Sequence, residues 1–291
     1  MTISTQPDAS DLPSSPISQA IRARNDRGQA ALIPYVCAGY PDRDASLELL
    51  LAAADAGADV LELGIPFSDP LADGPTIQRA TFQALGAGMT VAGALDILRE
   101  FRTRHDTPVV LFTYLNPVHH YGMDRFVKDA AEAGAQGILL TDLPAGADPG
   151  LEGAAARGGL DLIRLLAPTT SPERIPKVAE GGGGFLYYIS RTGVTGGRTE
   201  LREALAREIE VIRARVSLPV AVGFGISSPD QAAAVAAVAD GVVVGSALVD
   251  AMTEGGAAAG GRFLAELRKA MDAVPRDLNA VPASAVTTPG G

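Results

Sequence analysis

Short apolar runs recur along the chain at Ala31–Ala38, Asp59–Ile65, Val109–Tyr114, Gly137–Leu143, Leu160–Ala167, Phe185–Ser190, Pro219–Phe224 and Gly241–Ala247. Each is continuous rather than alternating, the pattern of a strand buried on both faces. Between them lie segments rich in Ala, Leu and Glu or Arg with helical spacing; Leu201, Leu205, Ile209 and Ile212 mark one such face. Glycine closes several of these segments just before the next run, as in Ala56-Gly57-Ala58 and Ala133-Gly134-Ala135. Eight runs alternating with helices predict an α/β chain folded as a (β/α)8 TIM barrel, with an open doubly wound sheet as the alternative. The gap between the second and third runs is the longest. It holds two helical patterns, Pro75–Leu85 and Val91–Arg104, so an extra helix is expected after strand 2.

The ends read differently. Residues 1–16 contain Pro7, Pro13, Pro16 and several serines without a periodic apolar pattern, and are expected to be disordered. The tail 275–291, with Pro282, Pro289 and a terminal Gly-Gly, carries the same expectation. Residues 17–274 contain no Pro- or Ser-rich linker, so one catalytic barrel domain is predicted there.

In such a barrel the chemistry sits at the C-terminal ends of the strands. Strand 2 carries Glu62 inside Val60-Leu61-Glu62-Leu63-Gly64-Ile65. A carboxylate in a buried run costs several kcal/mol unless it is paired or functional. A structural ion pair with a neighbouring strand is one reading. A general acid whose pKa is raised by burial is the other, and the one favoured here. The following loop, Pro66 to Pro75, holds Asp69 and Asp73, each before a turn former. Asp is also a routine turn and N-cap residue, so spacing alone leaves Asp73 undecided.

Glycine-containing turns follow the late strands: Gly193 to Gly197 after strand 6, Gly223 to Ser227 after strand 7, and Gly245-Ser246 at the end of strand 8. Glycine lets the backbone approach an anion, and a helix start points N–H groups at it. The turns after strands 7 and 8 are where barrels often hold phosphate, although glycines also make tight turns for their own sake. Tyr35, Tyr114 and Tyr187 fall near strand ends and are candidates for an aromatic pocket or for barrel-core packing. His119 and His120 are expected on a solvated loop, and Cys37 as a small buried residue rather than a nucleophile.

Composition narrows the classes. Hydrophobic residues make up 47% of the 291 positions and charged residues 20%, the balance of a soluble globular protein. The net charge of −10 argues against a nucleic-acid or anionic-membrane partner, both of which require basic surface. One cysteine excludes an internal disulfide and a Cys-rich zinc site, and the three histidines form no H-E-x-x-H pattern, so no metal is expected. No apolar run approaches the roughly 18 residues of a membrane helix, and no secretory signal pattern opens the chain; a cytoplasmic location is expected.

Glu62 to Gln78 reads ELGIPFSDPLADGPTIQ, which closely resembles the tryptophan synthase alpha subunit family. IPYVCAGYP, TYLNP, TDLP, SRTGVTG, GFGIS and GSALV agree in order, so the likeness covers roughly Ile17 to Ala270. The resemblance implies a lyase of tryptophan biosynthesis that cleaves indole-3-glycerol phosphate, a small phosphate substrate, to indole and glyceraldehyde 3-phosphate. It implies no cofactor in this chain, and a pyridoxal-phosphate-dependent beta subunit partner in an alpha2-beta2 tetramer. The family's catalytic carboxylates fall on Glu62 and Asp73. Its substrate contacts fall on Tyr187 and on Phe224 of the GFGIS turn, with Tyr35, Tyr114 and Thr195 as further pocket candidates. Its phosphate contacts fall on Gly196, Gly225, Gly245 and Ser246. Tyr35 and Cys37 depart from the Phe and Thr common at those positions, which bears on affinity more than on chemistry.

Two other readings compete. An indole-glycerol-phosphate synthase or sugar-phosphate isomerase would carry a catalytic Lys on an early strand; Lys128, Lys177 and Lys269 are the chain's lysines, and none lies on a strand run. A non-catalytic regulatory barrel has no need of intact Glu62 and Asp73.

Overall fold

The computed structural model describes residues 15–190, 198–223 and 225–276, with backbone alone at 198–202 and 204. Eight strands, β1 Ala31–Cys37, β2 Leu61–Gly64, β3 Val109–Thr113, β4 Gly137–Leu140, β5 Asp161–Leu166, β6 Leu186–Ile189, β7 Val220–Gly223 and β8 Gly241–Val244, pair in sequence order and close into a barrel. All pairs are parallel, and β8 returns to β1 with Leu32 opposite Val242. Each strand lies inside a predicted apolar run. Closure excludes the open-sheet alternative.

Eleven α-helices are found among the described residues: α1 Pro16–Asn25, α2 Arg43–Asp55, α3 Pro75–Gly86, α4 Val91–Arg102, α5 Leu115–Tyr121, α6 Met123–Glu132, α7 Pro149–Arg157, α8 Ile175–Ala179, α9 Arg198–Arg213, α10 Pro229–Ala236 and α11 Ser246–Asp272. The two helices expected between the second and third strands are α3 and α4. On α9, Leu205, Ile209 and Ile212 are buried as their spacing predicts, while the Leu201 side chain lies outside the described residues. No single described helix is long and apolar enough to cross a membrane.

The continuous apolar runs conceal a period of two, because successive side chains point to opposite faces of a strand. Ala31, Ile33, Val60, Val110, Leu139, Ile163, Phe185, Ala221 and Val243 fill the barrel interior. Leu32, Val36, Leu61, Leu63, Leu111 and Val242 pack outward against the helices. Glu62 and Tyr35 belong to the inward set, as does Tyr187, at the C-terminal mouth.

Helix α1 closes the opposite mouth. Ile17 and Ile21 are fully buried and pack into the interior cluster. Ser15 and Ser18 make a capping box, the Ser18 N–H donating to Ser15 Oγ at 3.2 Å and the Ser15 N–H to Ser18 Oγ at 3.0 Å. Ser15 and Pro16, read from sequence as part of a non-packing end, therefore open a buried helix. Arg276 departs from the tail reading in the same way. Its guanidinium pairs with Asp240 at 2.6 Å, and its side chain is 1% exposed. The remaining terminal residues, 1–14 and 277–291, lie outside the described structure. His119 and His120 are exposed as expected but stand in the last turn of α5 rather than on a loop.

Candidate active site

At the C-terminal mouth the strand ends and loops enclose a cavity of about 520 Å³. Tyr35, Glu62, Asp73, Tyr187, Gly225, Gly245 and Ser246 all line it. These residues come from β1, β2, β6 and the loops after β2, β7 and β8, so the barrel brings together positions scattered through the sequence. Thr195, Gly196 and Phe224 lie outside the described residues. Tyr114 is not among the lining residues. Its hydroxyl accepts the Ala72 N–H at 3.0 Å, and its ring packs against Phe67 with centroids 5.2 Å apart. It braces the loop that carries Asp73.

Glu62 is 1% exposed. The ion-pair reading fails: among the described residues its Oε1 has no hydrogen-bond partner. Its strand neighbours in register are Tyr35 and Val110. Burial pushes its carboxyl up to about 8, because the charged form loses its hydration without gaining a counter-charge. Two carboxylates at the opposite mouth, Asp59 and Asp240, behave differently. Asp59 accepts from Arg24 at 2.7 Å and from the Leu32 N–H at 2.9 Å, and Asp240 accepts from Arg213 and the Val220 N–H. Asp59 and Asp240 are thus paired at the barrel's base, where Asp161 keeps one buried oxygen without a partner, while Glu62 Oε1, also unpartnered, belongs to the carboxyl that lines the cavity.

Asp73 stands on the loop before α3. Burial raises its carboxyl to about 6, and a hydrogen bond from the Tyr114 hydroxyl opposes that rise. Its carbonyl oxygen accepts from Gln78 Nε2 at 2.9 Å, which ties the loop to the first turn of α3. The two carboxyls therefore differ in state at neutral pH: Glu62 is mainly protonated and Asp73 mainly ionised. Environments that separate two such groups are how acid and base roles are divided within one site.

The tyrosines need room that two glycines supply. A Cβ at Gly64 would run into the Tyr35 hydroxyl and ring, and one at Gly223 into the Tyr187 hydroxyl and ring. Tyr35 also meets Phe112 edge-on, with centroids 5.3 Å apart and planes at 78°. The result is an aromatic wall above the interior core. Burial raises both tyrosine hydroxyls well above their ordinary range, so they act as neutral groups. Cys37 is buried and its thiol is pushed up to about 12 by burial, which removes it as a nucleophile. Among the described residues no cluster of three or more His, Cys, Asp or Glu could hold a metal ion.

The family model for the tryptophan synthase alpha chain matches residues 21–274. The chain belongs to the tryptophan synthase alpha chain family. It is 53% identical to the tryptophan synthase alpha chain of Gluconacetobacter diazotrophicus over 231 residues, 79% of this chain and 83% of that one. With the Acidiphilium cryptum alpha chain the identity is 50% over 231 residues, 79% of this chain and 84% of the relative. Among solved structures, the Legionella pneumophila tryptophan synthase subunit alpha superposes with a TM-score of 0.83 at 38% identity, covering 90% of this chain and all of that one. An M. tuberculosis tryptophan synthase in its aminoacrylate-bound form superposes at 0.81 and 36% identity, covering 89% of this chain.

Within this alpha-chain barrel, the sequence did not single out several lining residues: Phe112, Thr141, Leu165, Ile226, Ser227 and Asp250. The apolar ones look like any core residue in a continuous run. Their inward direction was readable only from register. Asp250, one helical turn beyond Ser246 on α11, was readable from its spacing.

Proposed function

We propose that the cavity cleaves indole-3-glycerol phosphate to indole and glyceraldehyde 3-phosphate, with Glu62 as proton shuttle and Asp73 as the electrostatic partner of the indole ring. The observation that carries this reading is the pair of carboxyls, one held neutral and one ionised, facing one aromatic-walled cavity. Membership of the alpha-chain family supports the substrate.

The reaction breaks the bond between indole C3 and the first carbon of the glycerol chain. Protonation at C3 by the neutral Glu62 carboxyl makes C3 tetrahedral and spreads positive charge to the ring nitrogen. The ionised Asp73, accepting from the ring N–H, stabilises that charge as it develops. Glu62, now a carboxylate, takes the proton from the hydroxyl on the adjacent carbon. The O–H electrons form the aldehyde C=O, and the C3–C bond electrons return to the ring. Glu62 ends protonated, so the cycle consumes no external acid or base. General catalysis of this kind contributes about 10²–10⁴-fold.

The remaining assignments follow the same reading. Tyr35 and Tyr187 flank the indole, and Tyr114 positions the Asp73 loop. Phosphate sits at Gly225, Gly245 and Ser246, where the start of α11 points N–H groups outward; the family resemblance adds Gly196, Thr195 and Phe224, which lie outside the described residues, as further contacts. The chain itself needs no cofactor for these steps. Its partner is a pyridoxal-phosphate-dependent beta subunit in an alpha2-beta2 tetramer, and its location is cytoplasmic.

Indole release from indole-3-glycerol phosphate, followed across pH, tests this. Turnover should fall below about pH 6 as Asp73 gains a proton and above about pH 8 as Glu62 loses one. Glu62→Gln should nearly abolish release and remove the alkaline limb from what remains. Near-normal turnover of Glu62→Gln would overturn the shuttle role.

A further inference from the structure

The phosphate end of the cavity poses a charge problem. The described lining of the cavity as a whole holds the neutral carboxyl of Glu62, the carboxylates of Asp73 and Asp250, and no Arg, Lys or His side chain, and Asp250 is the carboxylate on the helix that starts at Ser246. Asp250 lies one turn into α11, on the same helix whose first residues are Ser246 and Ala247. A carboxylate there opposes a phosphate dianion bound at the helix start, and it offsets the favourable N-terminal end of the helix dipole. Among the described residues, one cation lies against it. Arg79 on α3 reaches across the rim, its Nη2 3.5 Å from Asp250 Oδ1. The same guanidinium nitrogen also donates to Thr76 Oγ1 at 3.2 Å. Both side chains of the pair are more than half exposed, at 68% and 51%, so their packing contribution is small.

A surface pair at that distance contributes little to stability. Its position gives it a different consequence. Arg79 is carried by the helix that follows the Asp73 loop, and Asp250 by the helix that follows the Gly245-Ser246 turn. The two helices therefore meet, through opposite charges, at the edge of the cavity where an anion would enter.

We propose that Arg79 and Asp250 set the affinity of this site for a phosphorylated substrate, Asp250 opposing the dianion and Arg79 cancelling that opposition. This inference rests on the lyase reading above. With the pair intact, the rim is close to neutral and the helix-start N–H groups hold the phosphate. Without Arg79, Asp250 stands uncompensated beside a dianion. Without Asp250, Arg79 is free to turn its charge toward the phosphate.

The test uses the full-length chain and two probes that divide the substrate: glycerol 3-phosphate, which carries the dianion, and indole, which does not. Dissociation constants are measured for wild type, Arg79→Gln, Asp250→Asn and the double variant, with KM for indole-3-glycerol phosphate alongside. Arg79→Gln should weaken glycerol 3-phosphate binding about three- to tenfold and Asp250→Asn should tighten it, the scale expected of one charge acting through partly solvated rim. The double variant should lie near wild type, Arg79→Lys should restore most of the loss, and indole binding should stay within twofold. The glycerol 3-phosphate shifts should shrink as salt rises, because exposed charges are screened. Shifts of the same sign in the two single variants, no shift, or equal shifts for both probes would overturn the proposal. Wild-type chain that forms no indole from indole-3-glycerol phosphate would instead overturn the lyase reading. Wild type that turns over normally, with single variants that bind glycerol 3-phosphate unchanged, removes only the charge-setting role.

Discussion

Glu62 concentrates the cost of this site in one side chain. A buried carboxyl with an unpartnered oxygen is tolerated because it stays protonated over the working range. Its pKa in the fold, about 8, lies above its ordinary value of 4.5, so the folded state holds a proton that the unfolded chain has released. Stability therefore falls as pH rises from about 4.5 to about 8, and the full penalty is present above that window. Glu62→Gln keeps the shape and removes the titration. Thermal melts at successive pH values should show the variant gaining on wild type from pH 5 to pH 8 and holding a constant advantage beyond. A difference that does not vary with pH would mean the carboxyl is charged and compensated in the fold. The presence of a carboxylate in the second run was plain from the sequence, and so was the conflict it creates. Whether it was paired was not, because pairing depends on which neighbours the register sets beside it.

At the level of elements, the eight runs mapped directly onto eight strands, since a parallel barrel buries both faces and writes long apolar stretches. The runs overshoot the strands: Asp59–Ile65 extends past Leu61–Gly64 at both ends, and Gly137–Leu143 past Gly137–Leu140 at its C-terminal end. Of the extra residues, Thr141 lines the cavity, while Asp59 pairs with Arg24 at the opposite mouth. Helix α1 was not legible as the plug of the barrel, because its ten residues present only a few apolar positions. Their burial comes from tertiary placement rather than from a strong pattern. From sequence Gly223 reads as the start of a turn and Gly64 as an ordinary member of the second run. Gly64 and Gly223 prove to be spaces for Tyr35 and Tyr187, an inside-barrel relation between adjacent strands that no single run reveals. Gly223→Ala should therefore cost about 1–3 kcal/mol, the usual range for overpacking a filled core. Denaturant unfolding measures that cost, and indole affinity should fall with it as the Tyr187 ring is displaced. A variant as stable as wild type with unchanged indole affinity would show that Tyr187 has slack the geometry does not suggest.

For the whole molecule, the order of the Asp73 loop decides how active the isolated chain can be. Four apolar residues, Pro66, Phe67, Pro70 and Leu71, precede Asp73 in its loop. The fold divides them: Pro66 and Pro70 are buried, Phe67 is half-buried against Tyr114, and Leu71 alone is turned out, at 92% exposed. The inner side of the loop is thus already braced by Tyr114 and Gln78, while its outer side presents one large apolar side chain to solvent. A partner that covers Leu71 would favour the loop conformation in which Asp73 faces the cavity, and a ligand shifts an equilibrium only through such differential contact. Thr195, the pocket candidate of the loop after β6, lies outside the described residues. Indole formation should therefore rise when the cognate beta subunit is added, and Leu71→Ser should reduce that rise more than it reduces the turnover of the isolated chain. Equal kcat with and without the beta subunit would remove the activation model and leave the roles of Glu62 and Asp73 standing. Activation undiminished by Leu71→Ser would place the contact that matters elsewhere on the barrel mouth.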